Sequence, residues 1–289
     1  MTILNSIISI LFDGLAYAMF LFIVSVGLSV TMGLMGFVNL AHGAFAMAGG
    51  YLVLTLTGSL GVPFLLALVV TFFTVAAVSV VFERTLYARL YRASELDQVL
   101  LTIGLAFMAV AAYTYLYGPS PRTIVLPGFL TGQVDGGIRS FPVYRVFVIA
   151  VGIVLITVLW YAFERTNIGA KIRAAVDNRR MAQSIGIDVD RLFTLTFAAG
   201  SGLAALGGGL GIQLFGLNPS FALVYLVFFL LVVAVGGLGS FKGTLAAALI
   251  LGVFDTAGKY VYAGLGGFII YAVAVLILLA RPAGLDGRE

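Results

Sequence analysis

Side chains that could do chemistry are few in this sequence of 289 residues, which has one histidine, no cysteine and 12 acidic residues. Two polar residues, Asn39 and His42, interrupt an apolar stretch, where polar groups are costly and often functional. Their spacing of three residues would place them on one face of a helix. The pair therefore has two interpretations. It forms a hydrogen bond that holds two helices together, or it lines a translocation path together with the adjacent Gly43.

A second pair, Asp255 and Lys259, lies one helical turn apart in another apolar stretch. Counting about 1.5 Å per residue from Gly243 places Asp255 beyond the membrane midplane and Lys259 near the outer interface. One interpretation is an ion pair whose lysine extends toward water. The other is a gate or polar patch at the outer mouth of a translocation path.

Motifs for enzymatic chemistry are missing from the sequence. A Walker A motif needs Gly-Lys followed by Ser or Thr, and none of Lys171, Lys242 and Lys259 has that context. One histidine and scattered carboxylates predict no metal site, and no G-x-S-x-G elbow supports a triad with His42. We therefore expect a non-enzyme without its own metal or cofactor. The net charge of +4 is too small to indicate nucleic-acid binding.

Composition indicates a membrane protein, because 62% of the residues are hydrophobic and 10% are charged. Soluble domains have about 45–50% apolar and about 25% charged residues. We expect an all-α integral membrane protein of about eight transmembrane helices, forming one domain over residues 1–289. The segment 37–57 is the weakest candidate, and it either dips into the membrane or pairs with 14–34 as a broken helix. The apolar runs are 14–34, 37–57, 62–82, 98–117, 143–163, 192–215, 221–239 and 244–280, the last broken near 263–267.

The basic residues are distributed unevenly among the connecting segments. Twelve of the 16 fall in loops 83–97 and 164–191, at Lys242 and in the tail after 280, which an alternating topology places on one side. The positive-inside rule then predicts an external N-terminus and a cytoplasmic C-terminus. The opposite segment, 118–142, contains four prolines and five glycines and is expected to be an irregular surface loop.

The basic loop 164–191 contains a predicted helix over 167–186, with Asn167 as its N-cap and Gly186 as its end. Its apolar residues Ile168, Ile172, Ala175 and Val176 are expected on one face. This helix either lies against anionic lipid headgroups or offers a surface to a cytoplasmic partner. Its charged residues are Lys171, Arg173, Asp177, Arg179 and Arg180, of which Arg173 and Asp177 are spaced for an ion pair.

Small residues recur at helical spacing in the segment 192–215. Gly200, Ala204 and Gly208 form one ridge, and Gly207 and Gly211 form another. Such ridges are typical of close helix packing, with unwound backbone lining a cavity as the alternative.

Several segments resemble one family, the membrane permeases of branched-chain amino acid ABC importers. The sequence Asn39-Leu40-Ala41-His42-Gly43 is similar to that family's N-F-A-H-G signature, in the form of the first of its two permease types. The segments 169–191, 234–243 and 281–285 resemble its coupling region, Gly-rich turn and R-P-x-G-L ending.

This resemblance implies a multi-pass permease of the plasma (inner) membrane that imports branched-chain or related amino acids. The implied partners are a second homologous permease, two cytoplasmic ATPase subunits, which bind ATP and Mg, and an extracytoplasmic substrate-binding protein. Lys171, Arg173, Asp177, Arg179 and Arg180 then become candidates for docking an ATPase. Ala44 stands where the family often has Glu, and urea or short amides stay open as substrates. A self-sufficient secondary transporter, with Asp255 as its coupling carboxylate, is the alternative.

Overall fold

The computed structural model describes residues 2–36, 38–90, 93–135, 139–262 and 264–287. A π-helical turn, Glu83–Tyr87, joins α3 to α4, and a short antiparallel hairpin (β1, Gln133–Asp135; β2, Ser140–Pro142) precedes α6. The α-helices in these ranges are α1 (Thr2–Met35), α2 (His42–Gly58), α3 (Phe64–Phe82), α4 (Ala88–Leu90), α5 (Glu95–Tyr117), α6 (Val143–Arg165), α7 (Asn167–Asp177), α8 (Arg179–Ser184), α9 (Val189–Phe215), α10 (Phe221–Gly236), α11 (Phe241–Val261) and α12 (Gly266–Ala280).

Six helical segments in the described ranges are long and apolar enough to cross a membrane, namely α1, α3 with α4, α5, α6, α9 and α11. The helices α10 and α12 are shorter and also apolar. The predicted all-α, polytopic membrane fold is therefore confirmed. A count of about eight crossings and the side on which each terminus lies stay predictions. The predicted break falls between Val261 and Gly266, with Ala263 outside the described residues.

Three predicted boundaries are wrong. α1 begins at Thr2 rather than at residue 14, because the Asp13 carboxylate pairs with Arg145 and Tyr260 and does not end the helix. The segment 37–57 becomes helical only at His42, and its first residue, Phe37, lies outside the described residues. The loop 83–97 is partly helical, since α3 continues through the π-turn to Leu90.

The helices α1 and α9 form the centre of the molecule. In their most apolar windows 61% of α1 and 78% of α9 is buried, against 11% for α5 and α6. A β-carbon on Gly27 of α1 would lie 2.5 Å from the Gly200 carbonyl oxygen of α9. On another face of α9, a β-carbon on Gly49 of α2 would lie 2.5 Å from the Ala205 carbonyl carbon. The packing interpretation of the small-residue ridges is therefore confirmed.

The bundle has two ends, which we name the hairpin end and the α7 end. At the hairpin end Asp13 pairs with Arg145, close to the β-hairpin. At the α7 end the Lys242 ammonium lies 3.0 Å from the Glu164 carboxylate, and the Leu285 amide donates to the Val235 carbonyl at 2.8 Å. The basic loop 164–191, the turn at Lys242 and the tail therefore meet at one end, as the charge pattern predicts.

Candidate functional site

A non-helical segment, residues 38–41, leads back into the bundle from the end of α1. α1 stops at Gly36, whose positive φ of 74° is accessible to glycine and whose amide donates to the Met32 carbonyl. The chain then becomes helical at His42, where Nε2 lies 3.0 Å from the Val24 carbonyl oxygen of α1. Val24 lies about 16 Å along the helix from Met35. The segment 37–57 therefore returns to the middle of α1 before it becomes helical, and the choice between a dip into the membrane and a broken helix with 14–34 stays a prediction.

Asn39 holds this non-helical segment in place. It is fully buried, and its Oδ1 accepts hydrogen bonds from the Ala41 amide and the Tyr87 hydroxyl, both at 3.1 Å. Because Asn39 precedes α2, it does not share a helix face with His42, contrary to the spacing argument. Its Nδ2 is buried and has no hydrogen-bond partner among the described residues.

His42 and Gly43 both have the geometry of helix packing. His42 is 1% exposed. Because the Val24 carbonyl can only accept a hydrogen bond, Nε2 of His42 is the donor. A β-carbon on Gly43 would lie 3.0 Å from the Ala222 carbonyl carbon and closer to its oxygen. The expected hydrogen bond between helices is therefore present, and the role of these residues in a translocation path stays a prediction.

A buried carboxylate, Glu83, is a residue that the sequence reasoning missed. Glu83 is 3% exposed, lies in the π-helical turn, and its Oε2 accepts a hydrogen bond of 2.8 Å from the Thr194 hydroxyl of α9. π-Helical turns often occur at functional sites. The sequence contains a feature that could have predicted the position of Glu83. Because no glycine or proline occurs in residues 64–103, the helix can continue past residue 82 and include Glu83.

Asp255 and Lys259 form the expected ion pair at the hairpin end. Nζ of Lys259 lies 2.5 Å from Oδ2 of Asp255 and 5.4 Å from the ring centroid of Tyr17. The Asp255 side chain is 2% exposed and the Lys259 side chain 55%. The structure does not bring this pair close to His42. The ion pair lies beside Tyr17 of α1 and His42 bonds to Val24 of α1, and these two positions are about 10 Å apart along the helix.

The predicted cytoplasmic helix 167–186 is two helices. Asn178 separates α7 from α8, and its side chain caps α8 by accepting the Met181 amide at 3.0 Å. The N-cap of α7 is Thr166 rather than Asn167, because the Thr166 hydroxyl accepts the Gly169 amide at 3.2 Å. Among the four apolar residues expected on the buried face, Ile168 is exposed.

The five charged candidates in α7 and α8 differ in their contacts. Arg173 donates to the Phe163 carbonyl, and Arg179 lies 3.2 Å from the Asp190 carboxylate and 4.6 Å from the Phe193 ring centroid. Lys171 and Arg180 are exposed and form no ion pair with any described residue. Asp177 is exposed and lines a cavity of about 850 Å³ beside α7.

The Gly-rich turn between α10 and α11 forms a junction with α7 and α1. Gly239 has a positive φ of 76°, and a β-carbon there would lie 2.9 Å from the Val176 methyl carbon of α7. The Gly239 amide donates to the Ser29 carbonyl of α1 at 3.1 Å, and a β-carbon on Gly33 would lie 2.5 Å from the Gly239 α-carbon. One turn therefore contacts the basic amphipathic helix and the central helix at once.

Comparisons with known proteins agree on one family. A family model described as "Branched-chain amino acid transport system / permease component" matches residues 10–278. The chain is 26% identical over 293 residues to the high-affinity branched-chain amino acid transport system permease protein BraD of Pseudomonas aeruginosa, covering 96% of this chain and 95% of BraD. It is 26% identical to LivH of Escherichia coli, over 96% of this chain and 94% of LivH. It is 25% identical to a probable LivH of Methanocaldococcus jannaschii, over 97% of this chain and 92% of that protein.

A solved structure, PsaBC from Streptococcus pneumoniae in complex with Fab, has a similar fold. Its TM-score is 0.51 with 15% identity, covering 93% of this chain and 89% of that chain. The family consists of transport components, so the chain is a transport subunit rather than an enzyme. Its apolar helices make it a multi-pass protein of the inner membrane. It belongs to the family of permease components of branched-chain amino acid transport systems.

Proposed function

We propose that the chain is a membrane subunit of an ATP-driven ABC importer for branched-chain or related amino acids. In this proposal it pairs with a second homologous permease, and the substrate passes along the interface between the two. Two cytoplasmic ATPase subunits bind ATP and Mg, an extracytoplasmic protein delivers the substrate, and this chain holds no cofactor. The family supports the transport role, and the relatives are named for branched-chain amino acids.

The observation that carries the proposal is the contact of α7 with the Gly-rich turn. Val176 of α7 packs against Gly239, whose amide is bonded to Ser29 of α1. The same turn connects α10 to α11, so a displacement of α7 reaches three membrane helices through direct contacts. An ATPase that pushes on α7 thus acts directly on the helices that would have to move.

In this proposal the ATPase binds the side chains of α7 and α8 that are exposed and form no ion pair within the described part of the chain. Lys171 and Arg180 are exposed and unpaired among the described residues, whereas Arg173 donates to the Phe163 carbonyl and Arg179 pairs with Asp190. Apolar side chains beside charged ones are typical of protein interfaces. The exposed apolar residues of this surface are Ile168, Met181 and Ile185.

The test is uptake and ATP hydrolysis by the complete importer in liposomes, with the double variant Lys171→Glu and Arg180→Glu. We expect ATP-driven uptake of leucine to fall about tenfold or more, while the chain stays in the membrane. The matched control is Arg84→Glu with Arg89→Glu, which makes the same charge change in exposed residues of the helical segment after α3. Equal losses in both variants would indicate a general contact with anionic headgroups instead of ATPase docking.

Two measurements, the energy source of uptake and the compounds that compete for it, distinguish the proposed importer from a secondary transporter and from a permease for amides. Uptake by this chain alone, driven by an ion gradient and insensitive to ATP, would identify a secondary transporter and overturn the proposal. Competition for leucine uptake by isoleucine and valine, but not by urea or acetamide, is the expected result. Competition by the amides alone would assign the amide substrate.

A further inference from the structure

A cavity of about 370 Å³ lies at the hairpin end, between α1, α9, α11 and the β-hairpin. Its volume is within the range of small-molecule binding sites, which is about 300–1,000 Å³. One part of its wall is apolar, formed by Ala16, Leu214 and Phe215. The other part is charged and contains Asp13, Arg139, Arg145, Asp255 and Lys259.

The two carboxylates of the cavity are not equally satisfied. Asp13 pairs with Arg145 through Oδ1, and its Oδ2 accepts a hydrogen bond of 2.6 Å from the Tyr260 hydroxyl. Asp255 uses Oδ2 for Lys259, whereas its Oδ1 is buried and has no hydrogen-bond partner among the described residues. A buried acceptor without a partner is costly, particularly on a charged group. Asp255 therefore has unused capacity for a cationic donor.

Lys259 is a partner that can leave. Its side chain is 55% exposed, and it has a flexible stem, so the ammonium can be solvated when it moves away. The Asp255 side chain is 2% exposed and has no such alternative. Because Lys259 shields the carboxylate, its departure opens Asp255 to another ammonium group in the cavity.

Arg139 supplies a positive charge on the same wall. Its guanidinium donates to the Ser9 hydroxyl and forms no ion pair within the described ranges. A guanidinium binds a carboxylate well because it presents several donors in a fixed plane. The cavity therefore contains a guanidinium, Arg139, that can bind a ligand carboxylate, and a carboxylate, Asp255, that can bind a ligand ammonium group. An apolar surface lies beside both.

We propose that this cavity binds a small zwitterion, an α-amino acid with free ammonium and carboxylate groups and an apolar side chain. The ligand's ammonium displaces Lys259 from Asp255, its carboxylate binds Arg139, and its side chain contacts Leu214 and Phe215. The choice of an amino acid as ligand rests on the proposed function. The site itself is formed by residues of one chain, at the hairpin end.

The experiment measures binding of radiolabelled L-leucine to the chain in lipid nanodiscs, with the subunits that co-purify and without substrate-binding protein. Asp255→Asn and Arg139→Gln should each weaken binding about tenfold or more, as expected for the loss of a charged hydrogen bond. Lys259→Met should tighten binding about threefold or more, because it removes the internal competitor for Asp255. Asp135→Asn is the control, since Asp135 is an exposed carboxylate of the same hairpin outside the cavity wall.

The sign of the Lys259→Met effect decides between a displaceable partner and a purely structural ion pair. Equal weakening by Asp255→Asn and Lys259→Met would overturn the proposal, as would the absence of saturable leucine binding. Two analogues of leucine test which residue binds the ligand's carboxylate and which binds its ammonium group. Leucinamide should bind independently of Arg139, and 4-methyl-2-oxopentanoate should bind independently of Asp255; the reverse dependence would overturn it.

The result is distinguishable from a failure of the proposed function. Absence of saturable leucine binding to the unsubstituted permease, together with undiminished ATP-driven uptake by the importer, overturns this site and leaves the importer function intact. Leucine binding with the expected variant effects, but uptake that does not require ATP, supports the site and overturns the importer function.

Discussion

The substitution Gly43→Ala distinguishes a glycine that packs two helices from one that lines an open path. Its methyl group would lie 3.0 Å from the Ala222 carbonyl carbon and closer to the oxygen. Both atoms belong to the backbone of α10, so no side-chain rotation makes room. α2 and α10 would have to separate by about 1 Å to restore ordinary van der Waals distances.

The expected size of the effect is the balance of two terms. Overfilling a packed interior costs about 1–3 kcal/mol, whereas replacing glycine by alanine within a helix returns about 0.5–1 kcal/mol. The difference between the two ranges is about 0–2.5 kcal/mol, and we expect the upper half of it because the methyl group meets backbone atoms that cannot rotate away. Gly104→Ala is the matched control, because Gly104 also lies in a helix, α5, and a β-carbon there meets no described atom within 4 Å. Only the favourable term applies to this control.

The assay is thermal unfolding of the purified permease in one detergent, followed by intrinsic fluorescence, with leucine uptake measured well below the midpoint. Gly43→Ala should unfold a few degrees lower, at about 2 °C per kcal/mol, and Gly104→Ala at or above the unsubstituted midpoint. An unchanged midpoint with selectively reduced uptake would refute the packing argument. It would mean that the methyl group enters open space on the substrate's route.

Two further substitutions test the non-helical segment at residues 38–41. His42→Gln should retain a donor to the Val24 carbonyl and cost less thermal stability than His42→Leu, which should lose about 1 kcal/mol; normal stability with lost uptake in His42→Gln would favour a role in the path. Tyr87→Phe should lower stability by about 1 kcal/mol through the lost hydrogen bond to Asn39, whereas Tyr115→Phe, at an 89% exposed position, should not. Equal midpoints for the two tyrosine variants would contradict the assigned hydrogen bond.

The helices could be predicted from the sequence because lipid exposure imposes apolar runs of a fixed length. The runs at 98–117 and 143–163 correspond to α5 and α6, whose surfaces are mostly exposed. The prediction is wrong where a tertiary contact compensates a polar residue. Asp13 remains inside α1 because Arg145, 132 residues later, pairs with it, and no local pattern carries that information.

The same distinction between local and distant contacts applies to the candidate sites. The ion pair of Asp255 and Lys259 follows from their i, i+4 spacing and is present. The partners of Asn39 and His42 are Tyr87 and the Val24 carbonyl, at separations of 48 and 18 residues. Sequence reasoning recognises such residues as unusual in an apolar run, but their partners depend on how α1, α2 and the π-turn pack.

The helix α1 contacts three of the features described above. α1 is about 50 Å long and reaches the hairpin-end cavity at Tyr17, the His42 hydrogen bond at Val24 and the Gly-rich turn at Gly33. Its close packing on α11, where a β-carbon on Gly252 would lie 2.8 Å from the Ala18 α-carbon, prevents the two helices from sliding independently. In the proposed importer, a push on α7 would reach α1 through the contacts of Gly239 with Val176 and Ser29, and α11 through the packing of Ala18 on Gly252. Both α1 and α11 contribute residues to the wall of the cavity that contains Asp255, so the proposed coupling surface and the proposed binding site share the same two helices.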